Sequence, residues 1–400
     1  MRASGKTMRA TRLRTAAALL LTVGAVGCQR VRFPQMAENY REFAYVTNGG
    51  AGTVSVLDLV NLRADRTLRV GDNPSGVAVN PVRNEVYVVN TASGSVSVID
   101  AARNVVIATI PVHKQPYVIS IDAKGERGYV ANSGSNTVSV LDLVQHREIA
   151  TVGTGEAPGV ARIAPDGRSL VVSNRVSGSV SLYGVVAAAM PVLRATFDRC
   201  VGATAVAIMN DSSKAFVACS GGAEVLSIGL ATEPGSWPAK QDPASIQDRL
   251  LARLHVGSSP VHLALKPDGG ELFVSNFGSN SVTEIATFTN EVGGTYTIGT
   301  QPSQGLVGDD NSSLWVSNFG ADSVSLYSID DGRMTLSLHT GPAPDAMAMS
   351  HNQPLLLVAD SKSGDVSVIR TRDTNGPTFF TMLPAGAHPN AIAIKAYRTQ

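Results

Sequence analysis

Short apolar runs of four to six residues recur along the chain, and each is closed by a polar turn. One unit runs Gly76-Val77-Ala78-Val79, a turn, Val86-Tyr87-Val88-Val89-Asn90, a Gly/Ser turn, Val96-Ser97-Val98-Ile99-Asp100, then Val105 to Ile110. Apolar stretches of this length separated by turn chemistry are antiparallel strands. The second strand of each unit ends in, or near, Tyr-Val-Thr-Asn. Its last residues are Asn48, Asn90, Asn132, Asn174, Cys219, Asn276, Asn318 and Asp360, at gaps of 42, 42, 42, 45, 57, 42 and 42. A fixed period of about 40 residues with four strands per unit predicts the blades of a β-propeller.

Two internal distances stay constant. The next strand begins 6 residues after each Asn position, as from Asn48 to Val54. A Gly-x-x-Pro turn begins 19 residues before it, as from Gly71 to Asn90 and from Gly257 to Asn276. Length variation therefore falls beyond the third strand. The chain opens on a second strand, Phe43 to Asn48, and closes on a first strand, Asn390 to Ile394. Pairing these two would close the ring and remove an open edge. The expectation is all-β: an eight-bladed propeller of four-stranded blades over 42–398. Seven blades, with one degenerate repeat outside the ring, is the alternative. The Gly-x-x-Pro turns and the Asn positions should share one face, here the top. Pro165-Asp166-Gly167 and Pro267-Asp268-Gly269 should mark the bottom.

The Tyr-Val-Thr-Asn strand, the Gly-x-x-Pro turn and the Asn-Thr-Val-Ser-Val strand resemble the YVTN family of β-propeller repeats, over roughly residues 42 to 396. That resemblance implies an exported bacterial or archaeal protein of the periplasm or cell surface. It implies no particular activity, because one fold hosts many functions.

The first residues carry a separate message. Arg2, Lys6, Arg9, Arg12 and Arg14 precede an apolar run from Ala16 to Val26, too short to span a bilayer. This reads as a signal peptide over 1–27. Ala25-Val26-Gly27-Cys28 resembles a lipobox, which implies a lipid-modified Cys28 and attachment to a membrane. An ordinary signal peptide with an incidental cysteine is the alternative. Gln29 in place of Asp favours the outer membrane by the same analogy, and 28–41 reads as a tether.

Charge narrows the partners. With 33 basic against 32 acidic residues and no basic stripe, nucleic acid is not expected. The 7 histidines show no metal spacing, and phosphate-loop, nucleophile-elbow and haem-attachment motifs are missing. No cofactor, metal or catalytic residue is therefore expected from motifs, and the protein is read as a monomer.

Departures from the repeat remain. Cys200 and Cys219 replace Gly and Asn together, at the standard 19-residue separation. A disulfide stapling those two points is expected, with free thiols the alternative. The gap of 57 holds an insertion at about 231–250, in which Asp242-Pro243 could cap a short helix carrying Ile246, Leu250 and Leu251. In the inner strands, mostly small at alternate positions, Arg162, His262 and Gln304 break the rule. His113, Tyr117, Asp345, His388 and Asn390 sit near the top rim. Together these eight form a candidate polar funnel. Two functions are carried forward. One is a lipid-anchored module that binds or scaffolds a protein, glycan or other surface ligand. The other is a propeller enzyme or cofactor binder of lactonase-like, quinoprotein-like or haem-d1 type.

Overall fold

The computed structural model describes residues 36–186, 190–231, 247–373 and 376–399. The expected signal peptide, Cys28 and most of the tether lie outside the described residues, as do positions 232–246 of the insertion. The described residues contain eight sheets, each of four antiparallel strands. Blade 1 joins β1 (Tyr40–Asn48), β2 (Thr53–Asp58) and β3 (Arg63–Arg69) to the last strand, β32 (Pro389–Arg398). Blades 2 to 8 follow in chain order over 74–111, 116–153, 158–198, 203–255, 260–297, 302–339 and 344–384. Their inner strands are β4 (Pro74–Val79), β8 (Pro116–Ile121), β12 (Pro158–Ile163), β16 (Ala203–Ile208), β20 (Pro260–Leu265), β24 (Pro302–Val307) and β28 (Pro344–Met349). Each inner strand touches the next, and the series returns through β32 to β4. The ring is therefore closed at eight blades.

Burial explains why the two middle strands read as unbroken apolar runs. Blades stack face to face, so a middle strand has a neighbour on both sides. Glu85–Asn90 is buried from Val86 onward, while the outer strand Arg63–Arg69 is mostly exposed. The core lies between blades: Val171, Val180 and Leu182 of blade 4 pack with Val217, Leu226 and Ile228 of blade 5.

The Asn positions tie neighbouring strands together. Asn90 Nδ2 donates to Ser95 Oγ at 3.1 Å and Ser97 Oγ at 3.0 Å; Asn48 does the same to Thr53 and Ser55. The amide thereby ties the top of the second strand to the third. It also lies flat on the turn glycine: a Cβ on Gly71 would sit 2.7 Å from Asn90 Cβ. That contact couples Gly to Asn across the repeat. In blade 5 both are replaced, and Cys200 and Cys219 form a disulfide with Cα atoms 4.8 Å apart.

At the seam, β1 pairs with β32 from Tyr40↔Arg398 to Asn48↔Pro389. Strand β1 thus begins two residues inside the expected tether. Glu42, fully buried, accepts hydrogen bonds from His351 N–H (2.7 Å) and Ser350 Oγ (3.0 Å), tying blade 1 to the bottom turn of blade 8. One expectation for the insertion fails: Leu250 and Leu251 belong to the outer strand β19 (Arg249–His255) of blade 5, not to a helix. Pairing of Ile228 with Leu250 holds them in the sheet.

Candidate functional site

The channel is lined by the inner strands, and three levels can be told apart along it. The uppermost is the mouth. The residue following each Asn position leans over the first residue after the turn proline. In blade 2 these are Thr91 and Ser75, whose hydroxyls are 2.6 Å apart. Around the ring the upper residues are Gly49, Thr91, Ser133, Arg175, Ser220, Phe277, Phe319 and Ser361. Small residues dominate, so the three large ones define the mouth. Phe277 and Phe319, on adjacent blades, meet at a tilt of 52° with centroids 6.1 Å apart, both half-buried. Lys362 of blade 8 places Nζ 5.4 Å from the Phe319 ring, within cation–π range. On the opposite side, Arg175 lies over Gly159 and lines a hollow of about 350 Å³ with Ser133, Thr204 and Ser220. One half of the mouth is aromatic and the other is cationic and hydroxyl-rich.

Sequence reasoning missed Arg175, Phe277, Phe319 and Lys362. For the first three the signal was available at the register just after each Asn, where five of eight residues are Gly, Ser or Thr; Lys362 lies one residue further on.

The second level holds His262 and Gln304, two residues after their turn prolines. His262 Nδ1 accepts a hydrogen bond from Gly305 N–H at 3.4 Å. Burial, reinforced by the positive field of Arg162, pushes its pKa down to about 4. The ring is neutral at pH 7, and with Nδ1 accepting, Nε2 carries the proton. His262 is thus a hydrogen-bond donor to the channel rather than a base. Gln304 is spent on structure. Its Oε1 accepts from Met347 N–H at 2.6 Å and its Nε2 donates to Met347 O at 3.3 Å, stitching blade 7 to blade 8. Asp345 follows Pro344 at the top of β28. Burial raises its pKa, with the Ser303 hydroxyl partly opposing. It is a carboxylate of heightened basicity at the mouth, in the register of Ser75 and Ser303.

The third level is Arg162. It lines a cavity of about 410 Å³ bounded by β4, β8 and β12 that reaches the bottom turns at Pro81, Ala123 and Pro165. Its field acts on His262, two blades away, across the small Ala205 and Ala207 of blade 5.

The remaining candidates do not converge. His113 turns outward, its Nε2 3.1 Å from Thr151 Oγ1 and 3.3 Å from Glu148 Oε1, beside a top-face cleft of about 690 Å³. Tyr117 stands at the rim, 44% exposed. His388 occupies the positive-φ position before Pro389 and covers Gly50. Asn390 joins blade 1 to blade 2, taking Thr47 Oγ1 on Oδ1 and giving Nδ2 to Pro74 O at 3.0 Å. Among the described residues no cluster of His, Cys, Asp and Glu is arranged to hold a metal, and no helix is long and apolar enough to cross a membrane.

Comparison with known proteins places the fold. The family described as lactonase, 7-bladed beta-propeller, matches residues 284–381, spanning parts of blades 6 to 8. No curated protein matches the chain in sequence. Among solved structures, dihydro-heme d1 dehydrogenase NirN in complex with DHE is similar at 13% identity and TM-score 0.70, over 88% of this chain and 74% of that one. A putative 6-phosphogluconolactonase from Bacteroides uniformis is similar at 14% identity and TM-score 0.61, over 90% and 100%. Hydrazine synthase of Kuenenia stuttgartiensis is similar at 19% identity and TM-score 0.52, over 71% and 91%. At these identities the likeness is one of fold. The family match covers the neighbourhood of Gln304, Phe319, Asp345 and Lys362.

Proposed function

We propose that this protein is an exported propeller whose channel mouth binds a small, anionic, ring-bearing molecule, and that a sugar-acid lactone is the substrate class to which it is suited. The observation that carries this reading is the mouth itself. Where the repeat puts Gly, Ser or Thr, neighbouring blades carry Phe277, Phe319 and Lys362, with Arg175 across the opening. Aromatic faces take the apolar side of a ring, and flanking cations take its acid group. Concave sites with a few convergent polar groups are the usual form of small-molecule sites.

The lactonase family match and the likeness to a putative 6-phosphogluconolactonase support the catalytic form of the reading over a surface scaffold. In it, Asp345, made more basic by burial, accepts a proton from the attacking water. His262 Nε2–H donates to the oxygen that gains charge as the ring opens. One water adds across the ester, the acyl C–O bond breaks, and the ring oxygen leaves as the hydroxyl of the free acid.

For location, we propose attachment to the outer membrane through lipid on Cys28, with the propeller outside the cytoplasm. The basic and apolar leader and the Cys200–Cys219 disulfide, a bond of oxidising compartments, support this. The reading is tested by pH-stat hydrolysis of six-carbon sugar lactones, with and without a phosphate. Turnover above the spontaneous rate that falls at least tenfold in Asp345→Asn supports it. Equal rates with and without the protein contradict it.

A further inference from the structure

Blades 1 to 3 each carry a tyrosine three residues before the Asn position: Tyr45, Tyr87 and Tyr129. All three are buried, and two have partners for their hydroxyls. Tyr45 donates to Asn104 Oδ1, in the turn after the third strand of blade 2. Tyr87 donates to Glu85 Oε2, and His146, in the same turn of blade 3, holds that carboxylate with Nε2 3.1 Å from Oε1. Each time, the bottom turn of the next blade supplies a polar side chain to the tyrosine or to its acceptor. Tyr129 breaks the pattern twice. At the register of Glu85 stands Arg127, whose guanidinium turns to Asp142 at 3.1 Å. The matching turn of blade 4 is longer, as the gap of 45 against 42 records, and its described residues Val185, Val186, Met190 and Pro191 are apolar. Tyr129 is only 2% exposed, yet among the described residues its hydroxyl has no hydrogen-bond partner. A buried phenol normally finds one, and a donor left unmet is costly to a fold.

Tyr129 lines a cavity of about 750 Å³ between blades 3 and 4, which reaches the bottom turns at Ala123 and Gly167. That volume is in the range of small-molecule sites. We infer that this cavity binds a small uncharged carbonyl compound with an apolar body, whose oxygen accepts a hydrogen bond from the Tyr129 hydroxyl. Burial holds the phenol protonated, its pKa pushed up to about 12, so it serves as a donor. The charges among the described lining residues balance, Lys124, Arg127 and Arg168 against Asp122, Glu126 and Asp166, so the cavity selects no net charge. Asp122 is engaged by its own turn, accepting from the Glu126 and Arg127 N–H groups at 2.8 and 3.2 Å, and Asp166 accepts from Arg168 N–H at 2.9 Å. Val140, Ala150, Val185 and Met190 give the walls that take an apolar body. The two departures that leave Tyr129 without a partner are thus the two that make room for a ligand.

The site is independent of the mouth, so its test needs no lactone. Fluorine NMR titration of the full protein compares para-fluoroacetophenone with para-fluoro-α-methylstyrene, which has the same shape and a carbon in place of the oxygen. In the wild type the ketone should bind at least fivefold more tightly. Tyr129→Phe keeps the ring and removes only a hydroxyl without a partner. It should melt no lower than the wild type and bring the two probes within twofold of each other. Ala150→Leu narrows the cavity and should weaken both probes at least fivefold; it also serves if the phenylalanine variant does not fold. Changing Phe277 and Phe319 together to alanine should leave ketone binding unaltered. Equal binding of the two probes by the wild type, a preference that survives Tyr129→Phe, or probes indifferent to Ala150→Leu would each overturn the inference. So would loss of the ketone with the Phe277 and Phe319 pair, or no binding to the wild type at millimolar ketone.

Discussion

Cys200 and Cys219 are bonded across the gap that Gly71 and Asn90 span by packing alone in blade 2. In the standard copy the asparagine needs a glycine beneath it, because a Cβ there would overlap the amide. Changing one member would break the contact, so both change together, and a covalent bond takes the place of that packing. Closing a loop of this length stabilises by roughly 3 kcal/mol in chain-entropy terms. Melting in reductant should therefore fall by several degrees. Cys219→Ala should lose a similar amount, and the paired change Cys200→Gly with Cys219→Asn should recover part of it, because it restores the repeat. A melting temperature indifferent to reductant would show the bond does not form.

Asp360 is the acidic copy of the same position, and its chemistry gives a pH signature. Burial raises its pKa to about 6, and Asp365 opposite it across the strand pair adds to the rise. Its Oδ1 has no partner, while Oδ2 receives the Ser367 hydroxyl at 2.7 Å. A carboxyl whose folded pKa lies above its unfolded value favours the fold while protonated. Stability should thus decline as pH rises from about 4 to about 6 and stay flat above. Asp360→Asn restores the donor that the six asparagine-bearing blades use. It should remove this slope and stabilise the protein at pH 7 by about 1–2 kcal/mol, as read by urea melts at pH 4.5 and 7.5. A destabilised variant at pH 7.5 would contradict the account.

Glu42 shows the opposite sign at the ring seam. Burial pushes its pKa up, but hydrogen bonds from His351 and Ser350 outweigh that and leave it below the usual carboxylate value. The same pair raises the pKa of His351. A lowered acid stabilises above its unfolded pKa and fails as pH falls through the folded one. A raised histidine stabilises fully below its unfolded pKa and fails as pH rises through its folded one. The difference between wild type and Glu42→Gln should be largest near pH 5–6, at about 1–3 kcal/mol. It should shrink in stronger acid and again in alkali. A difference independent of pH would show that the carboxylate's charge does not matter to closure.

The ring was legible because its rule is periodic. The Asn register counted eight blades, located the seam and singled out Cys200 and Cys219, all from spacing. The insertion helix failed because Leu250 and Leu251 are equally apolar in either element, and pairing with Ile228 and its neighbours decided for strand. The site was harder. Gln304 and Asn390 stood out as polar, yet their amides hold the backbone of the next blade. Phe277, Phe319 and Lys362 looked like ordinary loop residues. They lie about 42 residues apart in sequence, and only closure of the ring brings them to one mouth.

Phe277 and Phe319 are half-buried and carry little of the core, so the pair separates binding from folding. The double change to alanine should weaken binding of a sugar acid about tenfold or more while costing at most about 2 kcal/mol of stability. Arg175→Ala should weaken acid binding and leave binding of an uncharged lactone nearly unchanged. Calorimetric titration reads both; equal losses for charged and uncharged ligands would remove Arg175 from the site.

The most direct test of the central claim is a crystal structure of the protein grown with a six-carbon sugar acid bearing a phosphate. The account predicts the ligand at the channel mouth, its ring against Phe277 and Phe319 and its charged ends toward Arg175 and Lys362. An empty mouth under saturating ligand, or a ligand bound outside the channel, would contradict it.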